Sequence, residues 1–181
     1  MGGYYYLMAQ LPGIVPGSAP SITYERFAET ASRFLDPRDK SILDALSLEP
    51  PRTPGKTGSS LVDDWHAFER ALRLSLRKIR AAKMSRDAQS TADDEASVYA
   101  ESGTALIARN ATGFDSPLEA EKYLDKARMD FIQDRAATHG FDSDAVFAYG
   151  LTLLLTERAR RFTAEAGRTS YTTIYNQILG D

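Results

Sequence analysis

The sequence contains no cysteine. That absence removes disulfides, thiolate metal sites and cysteine nucleophiles together, and it fits a reducing compartment. Histidine is scarce as well. The two, His66 and His139, fall in separate segments, with no His-x-x-x-His or His-Glu pair of the kind that holds a catalytic zinc. No serine stands in a Gly-x-Ser-x-Gly elbow, and no glycine-rich strand-to-helix turn could hold a dinucleotide. Long apolar runs are also missing. The most apolar window, Ala145 to Leu155, is about half the length a bilayer span needs. The opening MGGYYYLMAQLPGI has no Lys or Arg before its apolar stretch and is interrupted at Pro12, so it does not read as a secretory signal. These absences lead to the expectation of a soluble, cytoplasmic, non-enzymatic chain without cofactor or metal, meeting a membrane only through a partner.

What is present is a globular, helical composition. The apolar fraction of 43% over 181 residues allows one domain with a sizeable core. The net charge of −3 argues against a protein dedicated to nucleic acid. In SITYERFAETASRFL, Tyr24, Phe27, Ala28, Ala31, Phe34 and Leu35 recur at three and four, with Ser21 or Thr23 as N-cap. Asp36-Pro37 closes this helix and starts a second, to about Leu46, burying Ile42, Leu43 and Leu46. The following EPPRTPGKTGSS, residues 49–60, reads as a loop. Its Gly55-Lys56-Thr57 is not a phosphate loop, because Pro50 occupies the position of the first glycine and what precedes it is helical.

Ser60 and Asp63 predict a capping box for a third helix, about Leu61 to Met84, with Leu61, Trp65, Phe68, Leu72, Leu76 and Ile79 as its apolar stripe. Residues 85–97 are polar, either a linker or the start of a fourth helix running to about Asn110. Ser116, Pro117 and Glu119 open a fifth helix, which turns Leu124, Ala127 and Phe131 inward and reaches a left-handed C-cap at Gly140, with Phe141 as its hydrophobic contact. Asp142 or Ser143 caps a sixth helix, most buried from Val146 to Leu155, polar from Glu157 and ending near Gly167. A last helix from about Ser170 buries Tyr171, Ile174, Tyr175, Ile178 and Leu179. The reading is all-α: six or seven helices packed as antiparallel hairpins in a single domain, residues 1–181. The N-terminal arm, residues 1–13, is a short helix or extended piece packed on the bundle, since rings with polar tips suit a segment part buried and part wet.

Charged surfaces supply the candidate contacts. Arg70, Arg73, Arg77, Lys78, Arg80 and Lys83 crowd the non-apolar faces of the third helix. Without interleaved exposed aromatics, and in an acidic chain, they suit a solvated face or an acidic protein partner better than nucleic acid. Acid pairs such as Asp63-Asp64 sit at helix starts, where the macrodipole accounts for them. Candidate partner-binding residues are Tyr4, Tyr5 and Tyr6 of the arm, Arg70, Arg73, Arg77 and Arg80, and Arg158 and Arg161 of the sixth helix.

Three stretches together resemble a known group: YYYLMAQLPGI at the start, WHAFERALRLSLRKIRAAKM (Trp65 to Met84), and SPLEAEKYLDKARMDFI with HGFDSDAVFAYGLTLLLTERARRF (Ser116 to Phe162). Each is similar to a segment of an uncharacterised helical family encoded beside the V/A-type ATPase subunits of certain bacteria. That family shows a YYYL-x-x-LP arm, a Trp/Phe-Glu-x-x-Leu-Arg helix and an acidic-Ala-Tyr-Ala-Leu-x-x-x-x-x-Glu-Arg helix. It in turn looks like the C subunit of these ATPases (d in eukaryotes), a non-enzymatic helical funnel between the membrane rotor ring and the central stalk. The resemblance implies a coupling or assembly role, stalk and ring subunits as partners, and a peripheral place at the inner membrane. The chain is much shorter than a full C subunit, and residues 50–60 and 85–97 match poorly. A free-standing adaptor binding an acidic protein through its basic helix is the alternative, and a small helical enzyme with a carboxylate site the third.

Overall fold

Side-chain caps start the helices of this chain where short polar residues precede an apolar period. The structure, a computed structural model, describes residues 4–15, 17–83 and 101–162 and positions 169, 172, 173 and 175. Seven helices and no strand are found among the described residues. They are α1 (Tyr5–Gln10), α2 (Tyr24–Ala31), α3 (Pro37–Asp44), α4 (Ser60–Lys83), α5 (Glu101–Ala111), α6 (Pro117–Ala136) and α7 (Ser143–Arg161). Thr23, Asp36, Ser116 and Asp142 are the side-chain caps of α2, α3, α6 and α7. Each accepts the N–H three residues on, satisfying one donor that the helix itself leaves without a partner. Pro37 and Pro117 sit in the first turns of α3 and α6, where no N–H is needed.

One hydrophobic cluster draws side chains from every helix, among them Leu7, Phe27, Leu43, Trp65, Ala108, Leu124 and Leu151. At its centre lies α7, which packs against α2, α3, α4 and α6. A helix enclosed on most sides must be apolar nearly all round, and α7 is buried almost continuously from Asp144 to Leu151. Gly150 permits the closest approach, because a Cβ there would stand 2.9 Å from Leu46 Cδ2 and 3.0 Å from Phe27 Cε1. Trp65 is fully buried in α4, and its indole N–H donates to the Ser47 carbonyl at 3.3 Å. Helices successive in the chain also pack on one another, α4 with α5, α5 with α6 and α6 with α7.

Several boundaries differ from the sequence expectation. Phe34 is exposed, not part of the α2 stripe, because α2 ends at Ala31 in tight turns (Arg33 N–H to Thr30 O, Phe34 N–H to Ala31 O). Such turns advance side chains by about 120° per residue, which moves Phe34 outward. Ser59, one residue earlier than expected, caps α4: its hydroxyl accepts from Val62 N–H, while Asp63 reaches back to the Thr57 N–H. Gly140 is not among the positive-φ glycines, which are Gly17 and Gly58 in the described residues. The end of α6 instead unwinds through right-handed turns at Ala137, Thr138 and His139 that need no left-handed residue, and Phe141 is left half exposed. On α6 the innermost line is Leu124, Arg128 and Ile132, with Ala127 and Phe131 only partly buried. The last turn of α7 closes at Arg161, short of Gly167, with the Phe162 N–H on the Ala159 carbonyl. Positions 169, 172, 173 and 175 are helical, but Tyr175 is half exposed where burial was expected. Residues 85–97, and Tyr171, Ile174, Ile178 and Leu179, lie outside the described residues.

Candidate functional site

Among the described residues the most deeply buried charged one is Glu69, 1% exposed, on the inner face of α4. A carboxylate there costs several kcal/mol unless paired and hydrogen-bonded. Arg128 of α6 grips it with two parallel bonds, Nε to Oε2 at 2.9 Å and Nη2 to Oε1 at 3.0 Å. Arg73, one turn on, adds Nε to Oε1 at 2.8 Å and approaches Glu49 of the preceding loop at 3.7 Å. From Arg128 the pattern continues to Asp125 at 3.2 Å, then to Arg158 of α7, and from Arg158 Nη2 to Glu121 at 2.8 Å. Burial works to strip the Arg128 proton, and the bond and charge of Glu69 more than offset it. Burial also pushes the Asp125 carboxyl up, with Arg158 and Arg128 pulling it back. This ladder of alternating charges ties α4, α6 and α7 together. Its charged groups are turned on one another, so its chemistry is that of a clamp.

Two carboxylates of α7 act as caps for other helices. Asp144 receives the Ser59 hydroxyl at 2.5 Å, the Ser60 hydroxyl at 2.6 Å and the Leu61 N–H at 3.2 Å, at the start of α4. Glu157 receives the Tyr24 N–H at 2.7 Å, at the start of α2. Both place negative charge at a helix N-terminus, where donors and macrodipole favour it. His139 is held beside this corner, Nδ1 on Asp142 at 2.9 Å and Nε2 at 3.8 Å from Asp144. Burial would raise the Asp142 carboxyl, but His139 and the Ala145 N–H hold it below its ordinary range. The serines meet a carboxylate and not the imidazole, so this is not a nucleophile–base pair. His66 is buried, and its Nδ1 has no partner among the described residues. Among those residues no group of three or more ligating side chains could hold a metal ion, and no helix is long and apolar enough to cross a membrane.

The candidate partner residues separate into spent and available ones. Tyr4 is buried, its hydroxyl donating to Asp39 at 2.7 Å, and burial reinforced by that bond pushes the phenol up to about 12. Arg70 donates to the Pro51 carbonyl at 2.9 Å, and Arg73 and Arg158 belong to the ladder. Arg77 and Arg80 are exposed without an ion-pair partner among the described residues. Arg161 is exposed at the end of α7 and lines, with Thr23, Glu25, Glu157 and Arg160, an open hollow of about 380 Å³. Tyr5 and Tyr6 are exposed, 55% and 74%, and Tyr5 meets Phe141 edge-on at 4.9 Å. The arm therefore keeps one ring inside and two outside. Its hold on the bundle is backbone as well as ring: Tyr4 N–H donates to Phe141 O at 2.7 Å, and Tyr149 of α7 donates to Pro12 O at 2.8 Å.

Sequence reading passed over Glu69, Asp125 and Arg128. The signal for two of them was spacing: Glu69 lies four after Trp65 and three before Leu72, and Arg128 lies midway between Leu124 and Ile132. A charge flanked on its own helical face by core residues has to find a countercharge inside. Compared with family models, curated proteins and solved structures, the chain matches none.

Proposed function

We propose that this chain is a non-catalytic subunit or accessory of a bacterial V/A-type ATPase, coupling or assembling the central stalk with the membrane rotor ring. In this reading its helices form antiparallel hairpins like those of the C (d) subunit, and it stands at the inner membrane only through the complex. One observation carries the proposal: the three stretches that resemble the ATPase-linked family touch one another through their own motif residues. Pro12 of the arm accepts from Tyr149 of the last motif. Glu69 and Arg73 of the middle motif join Arg158 of the last one through Arg128 and Asp125. A coupling piece needs stiffness and partner surfaces, and a buried charge clamp across three helices supplies the first.

The test is co-purification from the native cell at low detergent. Stalk and ring subunits should come with the tagged protein in fixed ratio, and their absence at every salt concentration tried would overturn the proposal. Arg77 and Arg80, exposed and without an ion-pair partner among the described residues, favour a second reading, a free-standing adaptor for an acidic protein. Charge reversal at both then abolishes capture of the partner. Arg73 is left out because it braces Glu69.

A further inference from the structure

The loop between α3 and α4 carries three prolines in five residues, Pro50, Pro51 and Pro54, with Lys56 close behind. Residues 51–56 are all exposed, whereas Leu46 and Ser59 on either side of the loop are buried. Among the described residues no backbone–backbone hydrogen bond engages residues 47–58. Prolines have no N–H to donate, so the stretch presents chiefly carbonyl acceptors to whatever meets it.

The prolines restrict what shapes the loop can take. Each fixes its own φ and biases the residue before it, here Glu49, Pro50 and Thr53, toward extended backbone. Within residues 50–56 the chain bends only at Arg52 and Thr53, and no backbone hydrogen bond holds that bend. Once it opens into a polyproline helix, with three residues per turn, Pro51 and Pro54 share one edge. Both ends of the loop are tied to α4. Arg70 Nη2 donates to the Pro51 carbonyl at 2.9 Å, and Asp63 accepts the Thr57 N–H at 2.8 Å. A segment tied at its ends and restricted between them loses less freedom on binding than a free chain does. The charge offered is positive. Glu49, the one carboxylate of residues 47–58, faces Arg73 at 3.7 Å. Arg52 is exposed without an ion-pair partner among the described residues. Lys56, its side chain 91% exposed, comes only within 3.9 Å of Asp63, a pair worth little at that exposure.

We propose that residues 51–56, Pro-Arg-Thr-Pro-Gly-Lys, are a docking motif for a partner protein whose groove is lined by aromatic rings and ends in carboxylates. Pro51 and Pro54 seat between the rings, and the carbonyls accept from donors on the groove wall. Lys56, two residues beyond the second proline, meets the carboxylates. This contact goes beyond the ATPase reading and does not depend on it.

The probe is a purified, fluorescently labelled SH3 domain of the type that reads Pro-x-x-Pro-x-Lys/Arg, titrated with the full chain and followed by anisotropy. Binding should be saturable and should vanish when the tryptophan of the domain's groove is replaced by alanine. Pro51→Ala with Pro54→Ala should weaken it about tenfold, because two ring contacts and two fixed φ angles are lost together. Lys56→Glu should weaken it several-fold and flatten its salt dependence. Pro50→Ala, one step off the shared edge, should change affinity by less than about twofold. Melting followed by circular dichroism checks that the variants stay folded; should the alanine pair not fold, Lys56→Glu and its salt dependence decide. The proposal is overturned by no saturable binding of the full chain, by full affinity in the alanine pair or in Lys56→Glu, or by an equal loss in Pro50→Ala. A free peptide of residues 48–58 that binds while the full chain does not would overturn it too, since the ties to α4 then withhold the motif.

Discussion

Replacing Arg128 with Met leaves Glu69 in the core with half its partners. Glu69 is 1% exposed and takes two of its three hydrogen bonds among the described residues from Arg128, the third coming from Arg73, which is 46% exposed. Breaking a buried pair by removing one member costs about 3–5 kcal/mol, because the orphaned charge keeps its desolvation penalty. Arg73 retains part of the compensation, so about 3 kcal/mol is expected. For a chain of this size that lowers the melting temperature by about 6–12 °C. In urea it shifts the midpoint by about 1.5 M at a slope of about 2 kcal/mol/M. The companion variant Glu69→Leu with Arg128→Met fills the space without charge and should return to within about 1 kcal/mol of the parent. Urea unfolding followed by circular dichroism, run for both single variants and the pair, closes the cycle. A loss below about 1 kcal/mol for Arg128→Met, or a pair no more stable than its singles, would refute the clamp.

Three other perturbations probe separate parts of the fold. Asp144→Ala removes the acceptor shared by Ser59, Ser60 and Leu61 N–H; about 2 kcal/mol should be lost, with faster amide exchange in the first turn of α4, and unchanged exchange there would contradict the tertiary cap. Gly150→Ala should destabilise by about 1 kcal/mol despite the better helix propensity of alanine, because Phe27 and Leu46 leave no room, whereas Gly103→Ala, with nothing within 4 Å, should stabilise; the same sign for both would show that packing does not decide. Burial, then the Arg70 guanidinium, depresses the His66 pKa, so the unfolded chain takes up that proton first: stability is full above an unfolded value of about 6.5 and drains as pH falls toward the folded one. His66→Leu should remove this acid-side slope and be neutral or stabilising at pH 7, since it also removes an orphan nitrogen; an unaltered slope below about pH 6.5 assigns it to other groups.

Much of the chemistry whose partners lie within one turn was legible, the α4 cap at Ser59 and the end of α6 at Gly140 being the exceptions. Thr23, Asp36, Ser116 and Asp142 cap the N–H three residues on, and each helix starts where those residues stand. The stripe through Trp65, Leu72 and Leu76 and the apolar half of α7 went inside because apolar spacing and burial are the same physical statement. Helix ends were less legible. The closing of α2 at Ala31 and of α7 at Arg161 depends on how the next segment is drawn off, and propensity changes little across either boundary. Of the candidate partner residues, Tyr5, Tyr6, Arg77 and Arg80 stand at the surface, while Tyr4 is buried and Arg73 and Arg158 are engaged by carboxylates of the ladder, which no local pattern announces.

By itself, then, the sequence determined an all-α fold class, the caps at Asp36 and Ser116 and the stripe that becomes core, because these follow from contacts within four residues. Tertiary structure alone decided what the charges do. Asp144 and Glu157 looked like ordinary residues of one helix and are caps of two others, 83 and 133 positions away in sequence. Glu69 and Arg128 meet across 59 positions. No local period encodes such a meeting; it is enforced only when the core closes and an unpaired charge would otherwise be left without water.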